Sequence, residues 1–315
     1  MSEPFRILTI TWSADLEHFA LLRDSLVSSR LGDVPHDVVV QTEDLPLFQE
    51  YARHPVSLYA TKDVLPSAVE AKRLQARRWQ RRTGRTVTKL LGSLSRLSGR
   101  PGWVRFTGWH TQQLCKLTHV ANSAADRWVI MDSDLVVTPL AEPGDFVTPG
   151  RILCFSHWKN VDSLNGKMKN WQSTARQLFD GRAVETGRFD SYTDTPFVMD
   201  ATIVRDMMQW LEQRYSMPWW QVLLSLPPRR WSEFCIYKTY LRDVSTATVE
   251  WQDVDKFGYL FDAGDPEALV RELSRQIESE QRHYVTIHSQ SSGRQLWGAA
   301  SYAGHVRQCL AAQRR

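Results

Sequence analysis

"DRWVIMDSDLVVTP" spans residues 126–139. Four largely apolar residues, Trp128 to Met131, run into two aspartates one residue apart, Asp132 and Asp134, and an apolar pair, Val136 and Val137, follows. A stretch apolar on both faces fits a central strand of a parallel sheet. Residues two apart on a strand point to the same side, so both carboxylates are expected together at its carboxyl end. They repel, and burying them is costly unless a positive group sits beside them. Open α/β sheets bind ligands outside the carboxyl ends of their strands. A hard cation such as Mg2+ or Mn2+ takes oxygen ligands and shares them with substrate phosphates. A metal–diphosphate site at Asp132 and Asp134 is one expectation. A solvated turn with two capping aspartates is the other.

Upstream, "FRILTITW" (5–12) reads as a strand, "DLEHFALLRDSLVSS" (15–29) as an amphipathic helix capped by Asp15, and "HDVVVQT" (36–42) as a second strand. "EDLPLFQEYA" (43–52) begins a loop or short helix. Strand, helix, strand opens an α/β unit with a parallel sheet. "GWHTQQLCKLTHVANSA" (108–124) has apolar residues at helical spacing, and "RILCFSHW" (151–158) reads as a strand. "DTPFVMDATIVRDMMQWLEQRY" (194–215) reads as a short strand leading into a helix, and "RWSEFCIYKTYLRD" (230–243) as a helix with Ser232 at its N-cap. A further helix (265–281) and the strand-like "HYVTIHSQSSGRQLW" (283–297) follow. One domain over residues 1–315 is expected, carrying a basic helical insertion at 70–105.

That insertion is unusual. No acidic residue occurs from Ala71 to Ala125, and "KRLQARRWQRRTGR" (72–85) holds seven positive charges. It is either a solvated basic face or a surface for an anionic membrane or phosphorylated acceptor through residues 72–100. Nucleic acid is not expected, since no helix-turn-helix, zinc-finger or RNP pattern appears. Elsewhere 42% hydrophobic residues leave room for a sizeable core. No apolar run approaches the roughly 18 residues of a membrane span. The four cysteines form no CxxC pair, which argues against structural zinc and fits a reducing compartment. The N-terminus lacks a basic region followed by a long apolar stretch, so a cytoplasmic location is expected, with peripheral contact at the inner face of the membrane left open.

Four stretches in order, "ILTITWSADLEHFALLRDSL", "GWHTQQLCKL", "DRWVIMDSDLVV" and "WSEFCIYKTYL", resemble the GT-A fold nucleotide-sugar glycosyltransferases, and more narrowly a poorly characterised bacterial family related to them. The resemblance covers about residues 5 to 241 and does not extend to the basic stretch. It implies a Rossmann-like, mostly parallel central sheet flanked by helices. It also implies a nucleoside-diphosphate sugar donor, UDP-linked by expectation, and a glycan or lipid-linked acceptor. Asp132 and Asp134 would hold Mn2+ or Mg2+, with Ser133 between them at the donor.

The end of the first strand, including Thr9 and Thr11, would receive the nucleoside. Asp44, after the second strand, meets the base or ribose, or caps a turn. Gln113 and Lys116 share one helix, with Lys116 reaching a donor phosphate. Glu233 is the candidate general base and is counted with Asp134 as catalytic; its helix-start position is expected to lower its pKa. His288 is a candidate third metal ligand by the same resemblance, or simply a hydrogen-bonded strand end. Among thirteen tryptophans, Trp158, Trp171, Trp219 and Trp220 are candidate sugar platforms. Two rivals stand beside this: a non-catalytic nucleotide-sugar or membrane-surface binding protein, and a haloacid-dehalogenase-type phosphatase using Asp132 as nucleophile and Asp134 as acid/base. Against the phosphatase, more than 120 residues precede its motif.

Overall fold

The computed structural model describes residues 5–79, 81–82, 107–180, 187–227, 229–260, 266–287 and 299–313. Its strands are β1 (Arg6–Thr11), β2 (His36–Val40), β3 (Val56–Ala60), β4 (Arg127–Ile130), β5 (Leu135–Val137), β6 (Ile152–Ser156), β7 (Trp158–Asn160), β8 (Arg188–Asp190), β9 (Phe197–Asp200), β10 (Val249–Asp253), β11 (Phe257–Leu260) and β12 (Tyr284–Ile287). The helices are α1 (Leu16–Val27), α2 (Thr61–Val64), α3 (67–79), α4 (Thr107–Asn122), α5 (Gly166–Leu178), α6 (Ala201–Tyr215), α7 (Trp219–Ser225), α8 (Glu233–Asp243), α9 (Pro266–Ile277) and α10 (Ala303–Ala312).

The fold is mixed α/β, with a central, mostly parallel sheet flanked by helices. The sheet runs β3-β2-β1-β4-β9. The first four strands are parallel, and β9 is antiparallel to β4. The chain lays β2 and β3 to one side of β1, then returns to place β4 on the other. That reversal falls between β1 and β4, and it is outside the carboxyl ends at such a reversal that open α/β sheets take their ligands. Trp128, Val129 and Ile130 of β4 are fully buried, as a strand covered on both faces requires.

Two antiparallel pairings bring later segments to the same edge. β9 starts opposite the end of β4, with Phe197 against Ile130. β12 runs antiparallel to β5 and ends beside the aspartate turn, where the Ile287 N–H donates to the Asp134 carbonyl (2.8 Å). The main core packs both faces of the central sheet. A second cluster joins α9, α10 and β12 through Leu273, Ile277, Val285 and Val306.

Several local expectations change. β3 lies at the sheet edge; its mixed burial gives only a weak alternation, and no strand is expected there from sequence. Asp15 makes no capping hydrogen bond to α1 and instead accepts from the Trp12 indole N–H. Ser232 occupies the N-cap position of α8, but its side chain makes no capping bond. The basic stretch differs most. Arg73 is buried and donates to Glu70 and Glu43, while Arg77 lies 3.5 Å from Glu43 and 3.7 Å from Asp44. Arg73 is therefore paired inside the protein and Arg77 is half-buried beside the same loop; Lys72, Arg78, Arg81 and Arg82 are exposed. Residues 83–106 lie outside the described residues.

Candidate active site

The aspartates do not sit on a strand. β4 stops at Ile130, and Asp132 to Leu135 form a turn closed by the Leu135 N–H on the Asp132 carbonyl (3.2 Å). The same-side rule for strands therefore does not apply to this pair; the turn places them. Its entry is fixed on three sides. The Met131 N–H donates to the Leu8 carbonyl, the Thr9 hydroxyl donates to the Met131 carbonyl (2.8 Å), and the Asp132 N–H donates to the Thr195 hydroxyl (3.3 Å).

The positive group beside Asp132 is Lys116. Its Nζ lies 3.0 Å from Asp132 Oδ1 and 3.1 Å from Glu233 Oε1. The Lys116 side chain is 6% exposed and that of Glu233 5%, whereas Asp132 keeps 38%. Burial alone would push the ammonium's pKa down, but the two carboxylates outweigh it and hold it charged, above the usual lysine value. The ammonium also rests 4.6 Å from the Phe234 ring centroid. Both carboxylates lie within ion-pair distance of it.

Glu233 behaves differently from the sequence expectation. Burial raises its carboxyl above the usual range, with Lys116 opposing and Asp132 adding to the shift. Desolvation outweighs the helix dipole because the group is inside the protein. Its own N–H, the first of α8, donates to Gln113 Oε1 (3.0 Å). Gln113 therefore caps α8 in place of Ser232. Gln113 Nε2 is buried without a hydrogen-bond partner.

Asp194, just ahead of β9, was not among the sequence candidates. It accepts from the Thr195 N–H (2.9 Å), and burial raises its carboxyl to about 6. The Thr195 hydroxyl, on the next residue, accepts from the Asp132 N–H, which places Asp194 at the same edge. No spacing rule links it to Asp132; only the antiparallel return of β9 does.

The remaining candidates divide. Thr9 is fully buried: its hydroxyl proton goes to Met131, so His36 Nε2 must carry the proton it shares with Thr9 (2.9 Å). His36 Nδ1 then accepts from Arg23, and burial with Arg23 keeps this imidazole neutral, well below its usual pKa. Thr9 thus joins β1 to the aspartate turn and has no hydroxyl proton left for a ligand. Thr11, at the end of β1, has a buried hydroxyl without a partner. Asp44 accepts from the Ser13 N–H (2.9 Å), tying the loop after β1 to the loop after β2. Ser133 is buried within the turn. His288 lies outside the described residues, next in sequence to Ile287.

Among the described residues, no group of three or more His, Cys, Asp or Glu side chains is gathered to hold a metal ion. The carboxylates of the turn, Asp132 and Asp134, are nonetheless the hard oxygen donors that such a cation takes, and the Asp132 side chain keeps 38% of its surface exposed. A diphosphate would enter such an edge only with further positive charge.

Solved structures with a related outline include the galactosyltransferase LgtC in complex with donor and acceptor sugar analogs, at 9% identity, covering 97% of this chain and 96% of that one with a TM-score of 0.44. Mouse xyloside xylosyltransferase 1, apo form, is 10% identical over 91% of this chain and 98% of that one, with a TM-score of 0.46. 4-Diphosphocytidyl-2C-methyl-D-erythritol synthase from Anaerococcus prevotii DSM 20548 is 10% identical over 79% and 87%, with a TM-score of 0.36. At these identities and scores the likeness says nothing of the reaction. No curated protein matches the chain. A family model does match residues 7–287, from β1 to the end of β12, and on that extent the chain belongs to the family of unknown function DUF6492.

Proposed function

We propose that this protein is a GT-A-type glycosyltransferase, moving a sugar from a nucleoside-diphosphate sugar, UDP-linked in our reading, to a hydroxyl of a glycan or lipid-linked acceptor. The observation that carries this is the Lys116 ammonium held between Asp132 and Glu233 at the carboxyl edge of β1 and β4. A cation fixed there suits a diphosphate.

The acceptor oxygen bonds to the anomeric carbon, the bond from that carbon to the diphosphate breaks, and the hydroxyl proton leaves to a base. Lys116 offsets charge developing on the departing diphosphate. Asp132 and Asp134 would hold Mn2+ or Mg2+, with His288 as a proposed further ligand; when bound, the ion neutralises diphosphate charge. We assign Glu233 to fixing Lys116 rather than to proton transfer. A base must lie within hydrogen-bond reach of the acceptor hydroxyl, and Glu233 is buried against the lysine. Thr11 and Asp44, at the ends of β1 and β2, are proposed to face the nucleoside.

The test is calorimetric titration of UDP with Mn2+ and with chelator, on the wild type, Asp132→Ala/Asp134→Ala and Lys116→Met. Binding that needs the metal, both aspartates and the lysine is the expected result. Failure of UDP, GDP, CMP and dTDP alike, or equal binding to the aspartate variant, would overturn the assignment.

A further inference from the structure

Trp109 lies on the same helix as Gln113 and Lys116 at positions i, i+4 and i+7, so the three share one face of α4. Seven residues at helical rise separate Trp109 from Lys116 by about 10 Å along the axis. Around Trp109 an aromatic group has gathered. Trp109 stacks on Trp171 of α5, with centroids 6.0 Å apart and planes 19° from parallel. It also meets Trp231 at 6.2 Å, and Trp231 stacks on His110 at 5.4 Å. Trp231 is fully buried, two residues before Glu233, while Trp109 and Trp171 are half-buried. The Trp171 indole N–H donates to the Arg229 carbonyl (3.1 Å), which fixes the ring.

A second observation points to a ligand here. Two donors of this region, Gln113 Nε2 and Trp231 Nε1, are buried with no hydrogen-bond partner. Leaving a buried N–H unpaired costs about 1–3 kcal/mol, so such groups call for an explanation. A sugar supplies both things this region lacks: a C–H face that stacks on an indole, and oxygens that accept from N–H donors. The other tryptophan candidates lie elsewhere. Trp158 packs edge-on to Trp251. Trp219 and Trp220 line a cavity of about 420 Å³ with Met208 and Glu212, which includes neither Lys116 nor Asp132.

We infer that Trp109 and Trp171, with Gln113 and Trp231, form the subsite that receives the acceptor as a pyranose ring. This rests on the glycosyltransferase reading. The subsite lies further along the α4 face than the donor's diphosphate at Lys116, and the ring stack sets how the acceptor hydroxyl approaches the donor.

Saturation-transfer-difference NMR tests it, using the methyl α- and β-glycosides of glucose, galactose and N-acetylglucosamine as probes. The wild type should give a saturable signal, strongest on ring C–H protons, with at least one of them. Trp109→Ala should weaken it about tenfold, and Trp109→Phe should restore most of it, because an aromatic face remains. If Trp109→Ala does not fold, Trp109→Leu keeps the bulk and removes the ring. No signal with any probe, or equal signals in wild type and the non-aromatic variant, would overturn the subsite. UDP titration with Mn2+ on the same samples separates the two ideas. Nucleotide binding without sugar binding sinks the platform alone; sugar binding lost on Trp109→Ala, without nucleotide binding, sinks the transferase reading and leaves a carbohydrate-binding face.

Discussion

At the scale of single residues, the centre of the site is a buried ion triad that is asymmetric in exposure. Lys116 and Glu233 are inside, and Asp132 is partly in water. Removing one partner of a buried pair costs far more than removing both, because it leaves an uncompensated charge. Lys116→Met should therefore lower unfolding stability by about 3–5 kcal/mol, read as the urea midpoint. Lys116→Met/Glu233→Gln should recover most of that loss; a double variant no better than the single would contradict the pairing. His110 gives a pH signature. Burial, helped by the charge of Arg229, lowers its imidazole to about 4. The unfolded chain, with a pKa near 6.5, then binds the proton first on acidification. Stability is fully present above about pH 6.5 and lost as pH falls toward 4, by up to about 3 kcal/mol. His36 acts in the same direction. Thermal melts of His110→Phe, which keeps a ring on Trp231, should show a shallower fall over that range.

At the scale of elements, α8 begins on a side chain from another helix. Gln113 of α4 accepts the Glu233 N–H, while the local candidate Ser232 makes no capping bond. Gln113→Ala should cost about 1–2 kcal/mol, the usual cost of a lost cap. Ser232→Ala should stay within about 0.5 kcal/mol. Equal costs in denaturant unfolding would return the cap to Ser232. The motif resemblance paired "QQLCKL" with "SEF" without a physical link. The link is this helix-to-helix hydrogen bond together with the Lys116–Glu233 contact. Elsewhere α6 is capped locally: Asp200 ends β9, and its side chain accepts from Thr202 and Ile203 N–H groups. The Asp200 cap acts over three residues and the Gln113 cap over 120, while the caps expected from sequence at Asp15 and Ser232 do not form.

At the scale of the whole molecule, the basic stretch is divided between interior and surface. Arg73 is buried among Glu43 and Glu70, so Arg73→Ala should destabilise by about 3 kcal/mol or more in chemical denaturation. Arg78→Gln/Arg81→Gln/Arg82→Gln, all at exposed positions, should leave stability within about 0.5 kcal/mol per site. If these cations meet an anionic membrane, the triple variant should sediment less with phosphatidylserine vesicles than the wild type does. Unchanged sedimentation would remove these cations from any membrane contact. None of the described helices is long and apolar enough to cross a membrane.

Local pattern sufficed for four of the five strands of the central sheet and missed the edge strand β3: the alternating apolar positions of β1, the apolar runs of β2 and β4, helical spacing in α1 and α4, and the β9–α6 step were readable in order. Periodicity and capping act over a few residues, so a linear reading captures them. It also found that Asp132 and Asp134 need a positive neighbour. That the neighbour is Lys116, that Gln113 caps α8, that Asp194 joins the edge, and that Arg73 pairs inward were decided by tertiary structure. Apart from the Arg73–Glu70 pair, which lies within one helix, each joins residues far apart in sequence that only packing brings together. The direction of Glu233's pKa was likewise set by packing: the helix dipole is legible from position, but desolvation depends on what covers the group, and here it dominates.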